Sequence, residues 1–97
     1  MPPLKLSKKA KEDLVGIARY TEKTWGREHR RLYLKKLDSM FYTLADNLEL
    51  GSPCDDVRAG YIKKQVGSHL IFYRSGTSSK IEIIRVLHKR MDVALHL

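Results

Sequence analysis

The run Ile81-Glu82-Ile83-Ile84-Arg85-Val86-Leu87-His88 sets the tightest limit on how this chain folds. Side chains of a strand alternate between faces, which puts Ile81, Ile83 and Leu87 on one side and Ile84 and Val86 on the other. A strand that is apolar on both faces belongs inside a sheet or under a partner that covers one side. The run before it, Gly67-Ser68-His69-Leu70-Ile71-Phe72-Tyr73-Arg74, is equally β-prone, and the polar segment 75–79 turns one into the other. Each run carries an arginine at or near its end. The hairpin therefore offers positive charge at the edge of a small sheet to an anionic or acidic partner.

The rest of the chain supplies what such a hairpin packs against. Leu4-Lys5-Leu6 reads as a short strand, and Ser7 as the N-cap of a helix from Lys8 through Tyr20 towards Trp25. Ala10, Leu14, Ile17, Ala18, Thr21 and Trp25 recur at spacings of three and four and form its apolar face. Gly26 suits a left-handed stop. A second helix is expected from about Arg27 to Leu48, with Tyr33, Leu37, Met40, Phe41, Leu44 and Leu48 as its core stripe. So short a linker returns the two helices antiparallel. Residues 47–56 read as a loop, and 58–66 as a strand started or interrupted by Gly60. The expectation is a single α+β domain over residues 1–97: an N-terminal short strand and an antiparallel helical hairpin packed on a small antiparallel β-sheet.

Composition narrows the function classes. The chain has 97 residues, 42% of them hydrophobic and 31% charged, in the range of a globular domain. No apolar run approaches the roughly 18–20 residues needed to span a bilayer, and no signal peptide or membrane contact is expected. Cys54 is the only cysteine, so no internal disulfide forms and a cytoplasmic location is expected. A formal charge of +8 favours nucleic acid, a ribosome or an acidic protein as partner.

Chemistry is sparse. His29, His69, His88 and His96 show no metal-ligand spacing, so neither metal nor cofactor is expected. Cys54 has no activating motif and reads as a passive thiol. Arg58, Arg74, Arg85 and Arg90 lie on or beside the sheet, and guanidinium groups clamp phosphates and stabilise the charge of phosphodiester cleavage. His88, just past the last strand, suits general acid or base work. Two readings stand: a metal-independent endoribonuclease site, or arginines that pair with carboxylates and a histidine that ends a strand. Tyr61, Phe72 and Tyr73 are the sheet aromatics available for base stacking, with Phe72 read as core.

Arg58-Ala59-Gly60-Tyr61, Gly67 to Arg74, Ile83 to His88 and Arg90-Met91-Asp92, taken in order, resemble the ParE branch of the RelE/ParE toxin superfamily. Leu6 to Leu14 and Tyr20 to Gly26 are similar to that family as well, so the resemblance covers nearly the whole chain. It implies a bacterial type II toxin, without catalytic residues of its own, that inhibits DNA gyrase and meets nucleic acid only through the gyrase–DNA complex. It also implies neutralisation by a cognate antitoxin in a hetero-oligomer. The alternative within the superfamily is a ribosome-dependent mRNA endoribonuclease using Arg58, Arg74, Arg85 and His88. No tyrosine follows the last strand here, and Met91-Asp92 stand there instead, which favours the ParE branch. Target-binding candidates are Arg58, Arg74, Arg85, His88 and Arg90. Antitoxin-binding candidates are Ile84, Val86, Val93, Leu95 and Leu97.

Overall fold

Ser7 shows how the fold is tied together. Its hydroxyl accepts the Ala10 N–H at 2.9 Å, capping the first helix, and donates to the Ile84 carbonyl at 2.6 Å, anchoring that helix start to the last strand. The computed structural model describes residues 2–97. Strand β1 (Leu4–Leu6) leads into helix α1 (Lys8–Trp25), and α2 (Arg27–Asp46) follows directly. A 3₁₀ turn (Leu48–Leu50) comes next, then β2 (Ser52–Pro53), β3 (Ile62–Val66), β4 (His69–Ser75), β5 (Ile81–His88) and the short helix α3 (Val93–His96).

Gly26 makes the helical hairpin possible. Its φ of +96° lies where side-chain-bearing residues are strained, and its ψ of 172° is extended, so it reverses the chain without forming a left-handed helical cap. Its N–H still closes α1 on the Glu22 carbonyl. The second helix stops at Asp46, two residues short of the expectation, because the chain tightens into the 3₁₀ turn.

The sheet runs β1-β5-β4-β3-β2. Strands β2 to β5 pair antiparallel and β1 pairs parallel to β5, so the sheet is mixed. The strand that was apolar on both faces is interior, as expected. A bulge changes how its side chains divide. Phe72 pairs with Arg85 but Tyr73 pairs with Ile83, which leaves Ile84 as the extra residue. Ile83 and Val86 consequently share the helix-side core, while Leu87 joins Phe72 on the opposite side. Simple alternation had Leu87 with Ile83 and Val86 with Ile84.

On the helix side, Ala10, Ile17, Leu37, Phe41 and Leu44 pack against Ile71, Tyr73, Ile81, Ile83 and Val86. The other side is thinner: Cys54, Tyr61, Phe72 and Leu87, with Leu70, Ile84, Val93 and Leu97 half-buried around them. Residues 58–61, expected at the start of a strand, are a turn instead. Their backbone groups bond locally: Arg58 N–H to the Cys54 carbonyl, Tyr61 N–H to the Arg58 carbonyl, Gly60 N–H to Asp55 Oδ1. The expected loop at 47–56 contains β2, paired with β3.

Candidate functional site

Two clefts hold most of the side chains that carry chemistry. The first lies on the thin side of the sheet, a volume of about 260 Å³ bordered by Lys8, Lys9, Arg58, Tyr61, Ile84 and Leu97 among others. Arg58 and Arg74 each place a guanidinium 5.8 Å from the centre of the Tyr61 ring, from a turn and from β4 respectively. Tyr61 is itself 6% exposed, and Phe72 and Tyr73 are buried too, so the sheet aromatics are packing residues and not stacking platforms. Arg58 also donates to the carbonyl of Leu97 at 3.5 Å. Residues distant in sequence thus converge here: Arg58 and Arg74 at the Tyr61 ring, and Arg58 and Arg85 at the C-terminal segment.

Their circumstances differ sharply. Arg85 is a structural cation. It makes a two-pronged bond to Asp13, Nε to Oδ2 and Nη2 to Oδ1 at 2.8 Å each, with both side chains about one-seventh exposed. Its remaining Nη1 donates to the carbonyl of His96 at 2.8 Å, which holds α3 in place. The hydrogen bond from Asp13 raises the Arg85 pKa above its ordinary value. Asp13 Oδ2 also accepts the Val86 N–H at 3.0 Å, continuing the edge of β5 where β1 has ended. Arg74 donates to Glu82 across the strands at 2.9–3.0 Å and stays half-exposed. Arg58 and Arg90 are exposed and form no ion pair among the described residues. Burial raises the Cys54 thiol pKa, which keeps it protonated.

The antitoxin-binding candidates divide by face. Ile84, Val93 and Leu97 are half-buried on the thin side, and Leu95 is 80% exposed. Val86 is 2% exposed within the helix-side core, where the bulge puts it.

The second cleft holds residues that spacing alone did not bring together. It measures about 390 Å³ and lies where the hairpin meets the ends of β4 and β5, lined by Tyr20, Trp25, His29, Tyr33, His69 and His88 among others. His69 and His88, nineteen positions apart, are paired across strands and their rings meet edge-on at 5.4 Å. The Tyr33 hydroxyl accepts the Ser68 N–H at 3.2 Å, donates to the Val66 carbonyl at 3.1 Å and sits 2.6 Å from His69 Nδ1. Burial lowers the His69 pKa, and neighbouring His88 lowers it further. His88 Nδ1 accepts the Arg90 N–H at 3.1 Å. Only the strand register exposes this pairing; the polar turn at 75–79, which folds the two β-prone runs back on each other, is the one signal that could have suggested it. No group of three or more potential metal ligands occurs among the described residues.

Fold and sequence agree on kinship. Residues 4–93 match the family described as ParE toxin of type II toxin-antitoxin system, parDE. The chain is 41% identical over 97 residues to Toxin ParE1 of Caulobacter vibrioides, covering 100% of this chain and 99% of that one. It is 40% identical over 88 residues to Toxin ParE1 of Mycobacterium tuberculosis, covering 91% and 90%. A solved structure, the chromosomal ParDE TA system from P. aeruginosa, superposes with a TM-score of 0.75 at 19% identity, over 91% of this chain and 96% of that one, a likeness of fold. With a shared fold, and with relatives aligned from end to end, this chain belongs to the ParE toxin family of type II toxin–antitoxin systems.

Proposed function

We propose that this toxin inhibits DNA gyrase by binding it, blocking replication, and that a cognate antitoxin neutralises it by covering the thin side of the sheet. The observation that carries the reading is the asymmetry of that side, where exposed Arg58 and half-exposed Arg74 flank a shallow apolar surface ending in Leu95, 80% exposed. Cations beside an apolar strip suit a partner segment that alternates acidic and apolar residues. Ile84, Val93, Leu95 and Leu97 are the antitoxin contacts in this reading, and Arg58, Arg74 and Arg90 face the target. Arg85 acts indirectly by holding α3. The ribonuclease alternative needs Arg74 and Arg85 on phosphate, and both guanidiniums are engaged by carboxylates, which weighs towards binding.

The test is plasmid supercoiling by purified gyrase with increasing amounts of the folded toxin, scored also for trapped cleaved DNA. Dose-dependent inhibition with cleaved plasmid is expected, relieved by the antitoxin and weakened in Arg58→Ala. Undiminished supercoiling by folded toxin sinks the proposal.

A further inference from the structure

The aromatic cleft does not end at the His69–His88 pair. It continues into a neighbouring hollow of about 340 Å³, and Tyr20, His69 and His88 line both. The joined groove follows α1 from Glu12 past Gly16 and Tyr20 to Trp25, with the start of β4, the end of β5 and Met91 along its other side. At 1.5 Å per residue that stretch of α1 is about 20 Å long, enough for roughly four turns of a second helix laid beside it.

Its walls carry apolar groups that the fold itself does not bury. Tyr20 is 65%, Trp25 63% and Met91 40% exposed. Gly16 is the less expected member. It sits in the middle of α1, where glycine weakens a helix relative to alanine. A methyl group at Gly16 would meet nothing within 4 Å, so no packing inside the chain requires its absence. What the glycine leaves is bare helix backbone on an exposed stretch of the groove, open to close approach from outside.

Charge at the lips narrows the partner. Arg19 and Lys23, three and seven positions after Gly16, share its face of α1. Arg90 adjoins Met91 at the other lip. All three are exposed, and none forms an ion pair among the described residues. The carboxylates nearby are committed elsewhere, Asp13 to Arg85 and Asp92 to the start of α3, except for exposed Glu12 at the far end.

We propose that this groove docks an acidic amphipathic helix of a partner protein other than the antitoxin. The apolar stripe of that helix covers Tyr20, Trp25 and Met91, its backbone closes on Gly16, and carboxylates along its edges meet Arg19, Lys23 and Arg90. Glu12 sets its direction, because the acidic end of the partner is repelled there and drawn towards Lys23. A second copy of this chain is a poor occupant, since two chains of charge +8 repel each other. The groove shares no lining residue with the thin-side cleft of Arg58, Tyr61 and Leu97. It therefore stays open while the thin side is covered, and in that respect the inference rests on the antitoxin reading above.

Trp25 is the only tryptophan and so reports on its own site. The full chain is titrated with a synthetic helix of about four turns, leucine on one face and glutamate on the rest, with a scrambled peptide of the same composition, and with single-stranded DNA. A change in Trp25 fluorescence with the amphipathic peptide alone is expected, and it should persist when the toxin is already bound to its antitoxin. Gly16→Leu fills the gap without an internal clash, so it should unfold at higher urea than the parent yet bind the peptide about tenfold more weakly. Arg19→Gln with Lys23→Gln should flatten the dependence on salt. Absence of binding, equal binding of the scrambled peptide, tighter binding of DNA, or full affinity in Gly16→Leu each overturns the proposal. Binding to the free toxin that the antitoxin abolishes overturns it together with the assignment of the antitoxin to the thin side, which the other outcomes leave standing.

Discussion

The two faces of the sheet are built to different standards. The helix side is closed by α1 and α2, and Leu37, Leu44, Ile71, Tyr73 and Ile83 there are fully buried. The other side is closed by a turn carrying Cys54 and Tyr61 and by a four-residue helix whose Leu95 points into solvent. One face needs nothing further to be stable; the other is covered only in part by its own chain. The difference teaches where a small toxin keeps its stability and where it keeps a surface for partners, since removing apolar area from water is what both tasks draw on.

Truncating the closed face should do the most damage. Leu37→Ala leaves a cavity between α2 and the sheet and should cost about 4 kcal/mol, measured by urea unfolding. Leu97→Ala on the thin side should cost well under half as much, because that residue is only half-buried. Equal losses at the two positions would erase the contrast between the faces. Leu97→Ala should instead weaken capture by the antitoxin.

Arg85 links the two faces, so its removal is the next largest effect. Arg85→Ala strands the Asp13 carboxylate in a half-closed site and frees the His96 carbonyl, which should cost about 3 kcal/mol in urea unfolding. Arg58→Ala, at an exposed cation, should change stability by no more than about 0.5 kcal/mol. Both changes should lower toxicity when the toxin is expressed without antitoxin. Only Arg58→Ala should do so with the fold intact. A stable Arg85→Ala protein would reassign that arginine from scaffold to target contact.

Where the faces meet, Tyr33 links α2 to the β3–β4 turn. Gly67, at φ +56°, lies directly beneath the Tyr33 ring, and a side chain there would collide with it. Tyr33→Phe keeps the ring but leaves the Ser68 N–H without its acceptor and the Val66 carbonyl without that donor. A loss of about 1 kcal/mol is expected in urea unfolding, a modest price for a half-buried group.

How much of this was legible depended on how local the signal was. Ser7, Gly26 and the stripe from Tyr33 to Leu48 speak through their immediate neighbours, and the two helices and the interior strand followed from them. The bulge at Ile84 did not, because an extra residue in a register is a relation between two strands, and it moved both Val86 and Leu87 to the opposite side from simple alternation. The arginines were legible as a group but not in their roles. Asp13, 72 residues before Arg85, decides that one is scaffold, and no spacing rule connects the two. The His69–His88 pair was hidden for the same reason.

That pair gives the smallest effect and the one that depends on pH. Burial and the neighbouring His88 hold the folded-state pKa of His69 below its unfolded value, while Asp13 pulls the other way, and Tyr33 is the titratable group bonded to the ring. Between the lowered folded value and an unfolded value of about 6.5, the unfolded chain binds more protons than the folded one. Stability from this group is therefore complete above that unfolded value, falls as the pH drops towards the folded pKa, and levels off below it. His69→Gln removes the titration, so the loss of urea resistance between neutral and mildly acidic buffer should be smaller than in the parent protein. Acid loss from carboxylates is common to both proteins and cancels in the comparison. An identical decline in both would mean that the rim where the two faces meet is insensitive to protons and that the His69–Tyr33 contact does not depend on the charge of the ring.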